Sequence, residues 1–520
     1  MIKRFSSIAR WTICGMVLTL GAIQSQAQTD TNAATAAPAA PAPAAAPAAA
    51  APATPPAPVV STEQRLEDLE AYINNAETGA QADATGKTAS KLSGTGPGHN
   101  AWMETSTALV LMMTLPGLAL FYGGLVRRKN VLSVIAQCFG ITGLVSVLWY
   151  FVGYSLVFSS NAGWAATGWS PLGDLTFWKF NGVNSVANTN YGYWVAQNVY
   201  ACFQLTFAII TPALIVGGIA ERMKFSALMI FIGCWMFIVY FPLAHAVWGI
   251  DGAFNGAFNA KAPFKAIDFA GGTVVHMSSG YSGLILALII GKRIGWGKTH
   301  FAPHSTVLTF IGAALLWVGW YGFNAGSAVA ADVISSNAFT TTTLATATAS
   351  LVWPTMEYFL KGKATVIGFC SGAVAGLVVI TPACGFVTPD GGMIIGVIAG
   401  TIPFITTTYL KPLLGYDDAL DVFGVHAIGG TCGALATGFL ASDTVNANLD
   451  ANLKDLCDWS KGHHLYIEQL KVIAFTIILS CVGTAIIAYV LKFTIGLRPT
   501  PEAEEAGLDL SDHGEEGYIL

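Results

Sequence analysis

Three histidines lie inside strongly apolar stretches of this 520-residue chain, at His245, His276 and His426. An imidazole can donate at one ring nitrogen and accept at the other, which suits proton transfer, metal binding or haem ligation. Two mid-stretch imidazoles, His276 and His426, supply at most one bis-histidine haem site, and no second pair is present. There is no HExxH pattern for a zinc protease and no GxSxG elbow for a serine hydrolase. An enzyme is therefore not expected, nor a metal or cofactor. A lone histidine in such a place is often a core residue bonded to a backbone carbonyl. Two of them, in different halves of the chain, point instead to function, because ionisable groups in apolar spans are costly to keep.

The segments that must position these residues are membrane spans. Hydrophobic residues make up 53% of the chain and charged residues only 11%, against roughly 25% charged in soluble domains. Between Ser93 and Ile495 there are 18 basic and 16 acidic residues in 403 positions, so this stretch reads as embedded in a lipid bilayer. A net charge of −5 without a long basic block argues against nucleic acid as a partner. Spans are predicted over 103–125, 131–158, 197–220, 225–247, 269–290, 306–326, 339–360, 366–382, 393–410, 422–440 and 472–493. This is an all-α polytopic membrane protein with eleven transmembrane helices. One set of connections plus the tail holds 13 basic residues and the opposite set 6, so the positive-inside rule puts the C-terminus in the cytoplasm.

Ahead of the spans, Lys3, Arg4 and Arg10 precede an apolar run that ends before Ser25-Gln26-Ala27. This predicts a signal peptide over 1–27 and an exported segment after it. Residues 28–60 are an Ala/Pro-rich spacer. Residues 61–92 are a short helical or disordered exported arm, in which Leu66, Leu69 and Ile73 fall at helical spacing among acidic residues and could form a short trimeric coiled coil. The membrane domain covers 93–495 and a tail 496–520, the tail holding seven acids against one base.

Ten core spans allow two five-helix halves, which an odd count per half would set in opposite orientations, an inverted arrangement common among transporters and one that the resemblance given below also implies. Phe121-Tyr122-Gly123-Gly124 opens one half and Trp320-Tyr321-Gly322-Phe323 the other, and each half closes on a span with a histidine, His276 and His426. Aromatic residues near glycines, such as Trp317, Trp320, Tyr321 and Phe323, fit helix packing, an interfacial belt or a cation site, since ring faces attract a desolvated cation.

The segments Asp268-Phe269-Ala270-Gly271-Gly272-Thr273-Val274-Val275-His276, Ala220-Glu221-Arg222-Met223-Lys224-Phe225-Ser226-Ala227, Gly322-Phe323-Asn324-Ala325-Gly326-Ser327 and Asp421-Val422-Phe423-Gly424-Val425-His426 resemble the Amt/Mep/Rh family, in its bacterial ammonium transporter branch. The resemblance implies a homotrimer with a central pore in each subunit. It implies that Trp248, Phe207 and Ser327 form an exterior ammonium site, that Phe207 and Phe323 are stacked rings gating the pore, and that His276 and His426 are twin pore histidines. Asp268 matches an acidic residue that supports the site's architecture and attracts the cation without binding it directly. Trp248 favours an ammonium-transporter pore over the Rh branch.

The implied function is recruitment of ammonium outside, its deprotonation, and passage of ammonia through an apolar pore in nitrogen uptake, with the protein in the inner (plasma) membrane. An ammonium sensor signalling through the cytoplasmic tail is the alternative. Gly496-Leu497-Arg498 and Glu505-Ala506-Gly507-Leu508-Asp509 resemble the family's regulatory tail, with a PII signalling protein as a possible cytoplasmic partner. The Ala/Pro spacer and the acidic arm have no counterpart in the family pattern.

Overall fold

A computed structural model describes residues 61–73, 95–188, 192–450, 452–461 and 463–518. The expected signal peptide over 1–27 and the spacer over 28–60 lie outside the described residues, as does most of the arm after Ile73. The arm's helical spacing is realised as α1 (Thr62–Ile73).

Among the described residues, nine helices are long and apolar enough to cross a membrane: α2 (Pro97–Leu125), α3 (Arg128–Trp164), α4 (Gln197–Ile219), α5 (Phe225–Trp248), α6 (Gly272–Ile290), α7 (Thr306–Ala328), α10 (Pro389–Leu414), α11 (Phe423–Leu440) and α12 (Leu465–Thr494). The other two predicted spans are also helical. The first, α8 (Val333–Lys361), has 29 residues, but Thr340 to Thr343 together with Glu357 and Lys361 lower its apolar character. The second, α9 (Val366–Ile380), is apolar but only 15 residues long. A straight span needs roughly 20. A two-stranded antiparallel hairpin, β1 (Ala187–Asn188) with β2 (Gly192–Ala196), leads into α4.

Helix starts differ from the predicted ones where a side chain caps them. Asp332 accepts the Ser335 N–H at 2.8 Å, so α8 begins at Val333, six residues before the apolar run predicted to start at 339. Asp268, three residues ahead of the N-cap Gly271, accepts the first amides of α6, which starts at Gly272 and not at 269. An N-cap oxygen satisfies amides that have no partner within the helix.

The Phe225 end of α5 is held by charge. Arg293 pairs with Asp417 at 2.8 Å, Arg127 with Glu221 at 2.8 Å, and Arg293 reaches Glu221 at 3.4 Å. Arg222 is buried and donates to the carbonyls of Gly291, Gly218 and Asp417. Burial works to raise the Glu221 and Asp417 carboxyls, but the arginines outweigh it and hold both below the usual carboxylate range. The tail, with α13 (Pro501–Ala506), packs on the same face of its own chain. Glu504 binds Arg498 and accepts the Ile294 N–H at 2.9 Å. Asp509 accepts from Leu132 and Ser133 in the first turns of α3, and Asp512 from Phe225 at the start of α5.

Candidate functional site

Trp248 is the last residue of α5, and its indole N–H donates to the Asp268 carbonyl at 3.0 Å. That bond turns the indole toward the ring of Phe207 on α4, which meets it edge-on at 5.9 Å and 89°. Ser327 sits in the tight turn that closes α7, donating its hydroxyl to the Phe323 carbonyl at 2.7 Å. Its oxygen lone pairs are left to accept from another group. Phe207, Trp248, Asp268 and Ser327 line one cavity of about 190 Å³, with Tyr200 and Asp332. The predicted site residues are thus brought together from four separate stretches of chain.

Asp268 borders this cavity but its carboxylate is already engaged. It accepts the N–H groups of Gly271, Gly272, Thr273 and Val274 at 2.7 to 3.2 Å, and the Thr273 hydroxyl as well. The local chain is built for this wrap. Gly271 has φ +114, a conformation that glycine reaches without strain, and a Cβ there would lie 2.6 Å from Val275.

Phe207, which borders this cavity, and Phe323 lie with ring centroids 4.3 Å apart and planes tilted by 35°. On the other side of Phe323 the His276 ring lies 5.9 Å away and is also stacked on Trp320 at 5.5 Å. Trp320 is fixed in turn by a hydrogen bond to Thr381 at 2.9 Å. His276 Nδ1 and His426 Nδ1 are 3.3 Å apart, so one must donate and the other accept. The two histidines occupy matching π-helical turns, Gly272–Met277 and Phe423–Ile428, a distortion common at functional sites. The two elements touch because Gly280 has no side chain: a Cβ there would fall 2.2 Å from the Ala427 nitrogen.

Around the histidines is a second cavity of about 10 Å³, walled by apolar side chains including Leu118, Ile210, Leu214, Val275 and Leu316. Such a space is at the lower limit for one water molecule. A third cavity, about 230 Å³, shares His426 and Phe121 with the second and extends past Trp353 and Ser371 to Asp421. The three spaces form a series through the bundle. The Phe207–Phe323 ring pair stands between the first two and His426 between the last two.

Sequence reasoning missed Asp418. It precedes His426 by eight residues, as Asp268 precedes His276, and it caps its π turn by accepting the Phe423 N–H at 2.7 Å. Its other carboxyl oxygen has no hydrogen-bond partner among the described residues. Burial pushes the carboxyl up to about 6, against a counter-pull from Lys411. The repeated spacing was the available signal. For Trp320 the sequence signals are its place among aromatics near glycines and at the opening of the second half, and neither points to a ring stacked on His276. His245 stays out of the series: its ring is bonded to the Val157 carbonyl at 2.8 Å and Ser170 at 2.9 Å, as a structural histidine would be.

Chemically, the first cavity offers ring faces and a hydroxyl to a small cation. The space beyond offers two paired imidazoles in apolar walls, where an ion would lack solvation.

The Ammonium Transporter Family model matches residues 101–518. The chain is 45% identical over 434 residues to an ammonium transporter of Mycobacterium tuberculosis (strain ATCC 25618 / H37Rv), covering 81% of this chain and 90% of that protein. It is 42% identical over 421 residues to an ammonium transporter of Bacillus subtilis (strain 168), covering 81% and 98%. Among solved structures it resembles Saccharomyces cerevisiae Mep2, with a TM-score of 0.70, 33% identity, and 82% and 95% of the two chains covered. A structure described as a sensor Amt protein matches with a TM-score of 0.70 and 26% identity, covering 80% and 98%.

Proposed function

This chain belongs to the ammonium transporter family, and we propose that it moves ammonium across a membrane by binding the cation at one end of the bundle and passing it as ammonia. The cation binds against Trp248 and Phe207, with the Ser327 oxygen accepting one of its N–H groups. It gives up a proton to water in the first cavity before crossing the Phe207/Phe323 gate, and the neutral molecule is handed between His276 and His426. Potassium and sodium ions are refused because they have no neutral form and the path has neither a carbonyl filter nor a ring of charge. Asp268 holds the Trp248 indole and the start of α6 in place, and its field adds to the attraction of the cation.

In this reading the membrane domain spans 93–495 with eleven crossings, ten of them in two inverted halves, as a homotrimer in the inner membrane. The matched pairs Asp268/His276 and Asp418/His426 support the inverted halves. The Trp248 end faces outward, following the predicted signal peptide and the basic residues gathered at the other end. The tail over 496–520 lies in the cytoplasm, where a PII protein is its candidate partner.

The observation that carries the reading is the histidine pair at 3.3 Å in a space too small for a column of water. In proteoliposomes, His276→Ala and His426→Ala should each assemble but lose ammonium flux or admit potassium ions. Two assembled variants with wild-type flux and potassium exclusion would make the histidines structural. The sensor reading draws on the 26% identical sensor Amt structure. Methylammonium uptake in cells lacking other ammonium transporters separates the two, since a pure sensor gives none.

A further inference from the structure

Helix α1 lies outside the path described above, and its sequence carries an unspent pattern. It has 12 residues, a length at which an isolated helix is marginal in water. Leu66 and Leu69 are nevertheless 55% and 53% exposed, so the chain itself leaves most of their surface uncovered. With Ile73 they occupy positions a, d and a of a heptad.

The charges beside that stripe select its occupant. Arg65 falls at the g position before the first a, and Glu70 at the e position after the d. In a parallel bundle, g of one helix faces e of the next heptad on its neighbour, five residues on. Arg65 therefore meets Glu70 of the adjoining copy. An antiparallel pairing would set arginine against arginine and glutamate against glutamate. Copies of one membrane protein share a single orientation, so their arms leave the same face.

The remaining charges argue against a lipid surface. Glu63, Glu67, Asp68 and Glu70 outnumber the single Arg65, whereas helices that lie on membranes are rich in Lys and Arg on their polar face. The 23 residues from 74 to 96 reach up to roughly 80 Å when extended, so neighbouring arms can meet. Tethering to an assembled membrane domain raises their effective concentration, which compensates for the shortness of the helix.

We infer that α1 is an oligomerisation helix, packing with α1 of neighbouring copies of this chain as a short parallel coiled coil, with Leu66 and Leu69 inside and Arg65 paired to Glu70 of the next copy. The number of helices, three, rests on the trimer of the proposed function.

The full-length chain in membranes tests this by cysteine cross-linking. Under mild oxidation Leu66→Cys, at the a position, should give covalently linked copies at least tenfold more efficiently than Glu67→Cys at the outward b position, with the unsubstituted chain as background. Equal linking at both positions, or none at either, overturns the inference. The double variant Leu66→Asp, Leu69→Asp should purify with the same particle mass but come apart to monomers at a lower temperature. Dissociation at the wild-type temperature also overturns it. If the unsubstituted chain purifies as a monomer, the trimer reading itself fails. A stable trimer without the position-dependent link removes α1's role alone.

Discussion

At the Trp248 end of the bundle both carboxylates that line the cavity, Asp268 and Asp332, are turned to helix amides and leave ring faces to meet a ligand. At the Phe225 end, Arg127, Arg222, Arg293, Glu221 and Asp417 are matched to one another and to carbonyls, fastening loops from four parts of the chain. A free charge at the mouth would attract any cation and hold it with its water. Rings attract only weakly and favour a cation that can be stripped. Charge is placed where it secures structure, and polarisable neutral surface where the proposed cation site lies.

Substitutions at the two ends should therefore fail differently. The largest effect is expected from Arg293→Ala, which leaves Asp417 and Glu221 buried with incomplete partners. A loss of about 3–5 kcal/mol in stability is anticipated, read as a lower unfolding temperature in detergent, with ion discrimination by the surviving protein unchanged. Altered discrimination at unchanged stability would break the contrast.

Asp268→Ala comes next. It deprives four amides and a hydroxyl of their acceptor, but the adjoining cavity gives water access to the vacated place, so the cost is that of one donor left dry, roughly 1–3 kcal/mol. Stability and transport should fall together. A variant that loses transport at full thermal stability would mean that Asp268 acts on the cation and not as a cap.

Asp418 sharpens the comparison from the other side. Its carboxyl is raised to about 6, so its ionised form opposes folding. Its destabilising contribution is absent below the unfolded carboxyl range and grows as pH rises through about 6. Asp418→Asn should therefore be more stable than wild type at pH 7.5 by up to about 2–3 kcal/mol, the gain vanishing near pH 4. A pH-independent difference in unfolding temperature would contradict this.

The smallest effect belongs to Trp248→Leu, which removes one ring face worth roughly 0.5–2 kcal/mol, or about 2- to 30-fold in apparent affinity. Concentration dependence of flux and competition by other cations measure it. Unfolding temperature should hardly move.

How far the sequence exposes this architecture follows the same division. The histidines and aromatics are legible because few polar groups enter apolar spans, and because family-like motifs single them out. Helix α8 is less so: threonine hydroxyls satisfied by carbonyls one turn back, as at Thr340, Thr343 and Thr346, lower apparent hydropathy without hindering a helix, and its capped start lies ahead of the apolar run. The arginine network is hidden, since Arg127, Arg222 and Arg293 count equally as positive charges in loops until the fold brings Glu221 and Asp417 between them. Asp418 reads as a solvated loop carboxylate for the same reason. The tail's acids read as a solvated run, yet Glu504, Asp509 and Asp512 each accept backbone N–H groups elsewhere in the chain.

The space of about 10 Å³ beside the paired histidines has a consequence for cell volume. Osmotic flow needs an unbroken file of water, and this constriction has room for one molecule at most. A membrane crowded with this ammonium transporter would not become leaky to water through it, so osmotic balance is kept apart from its transport.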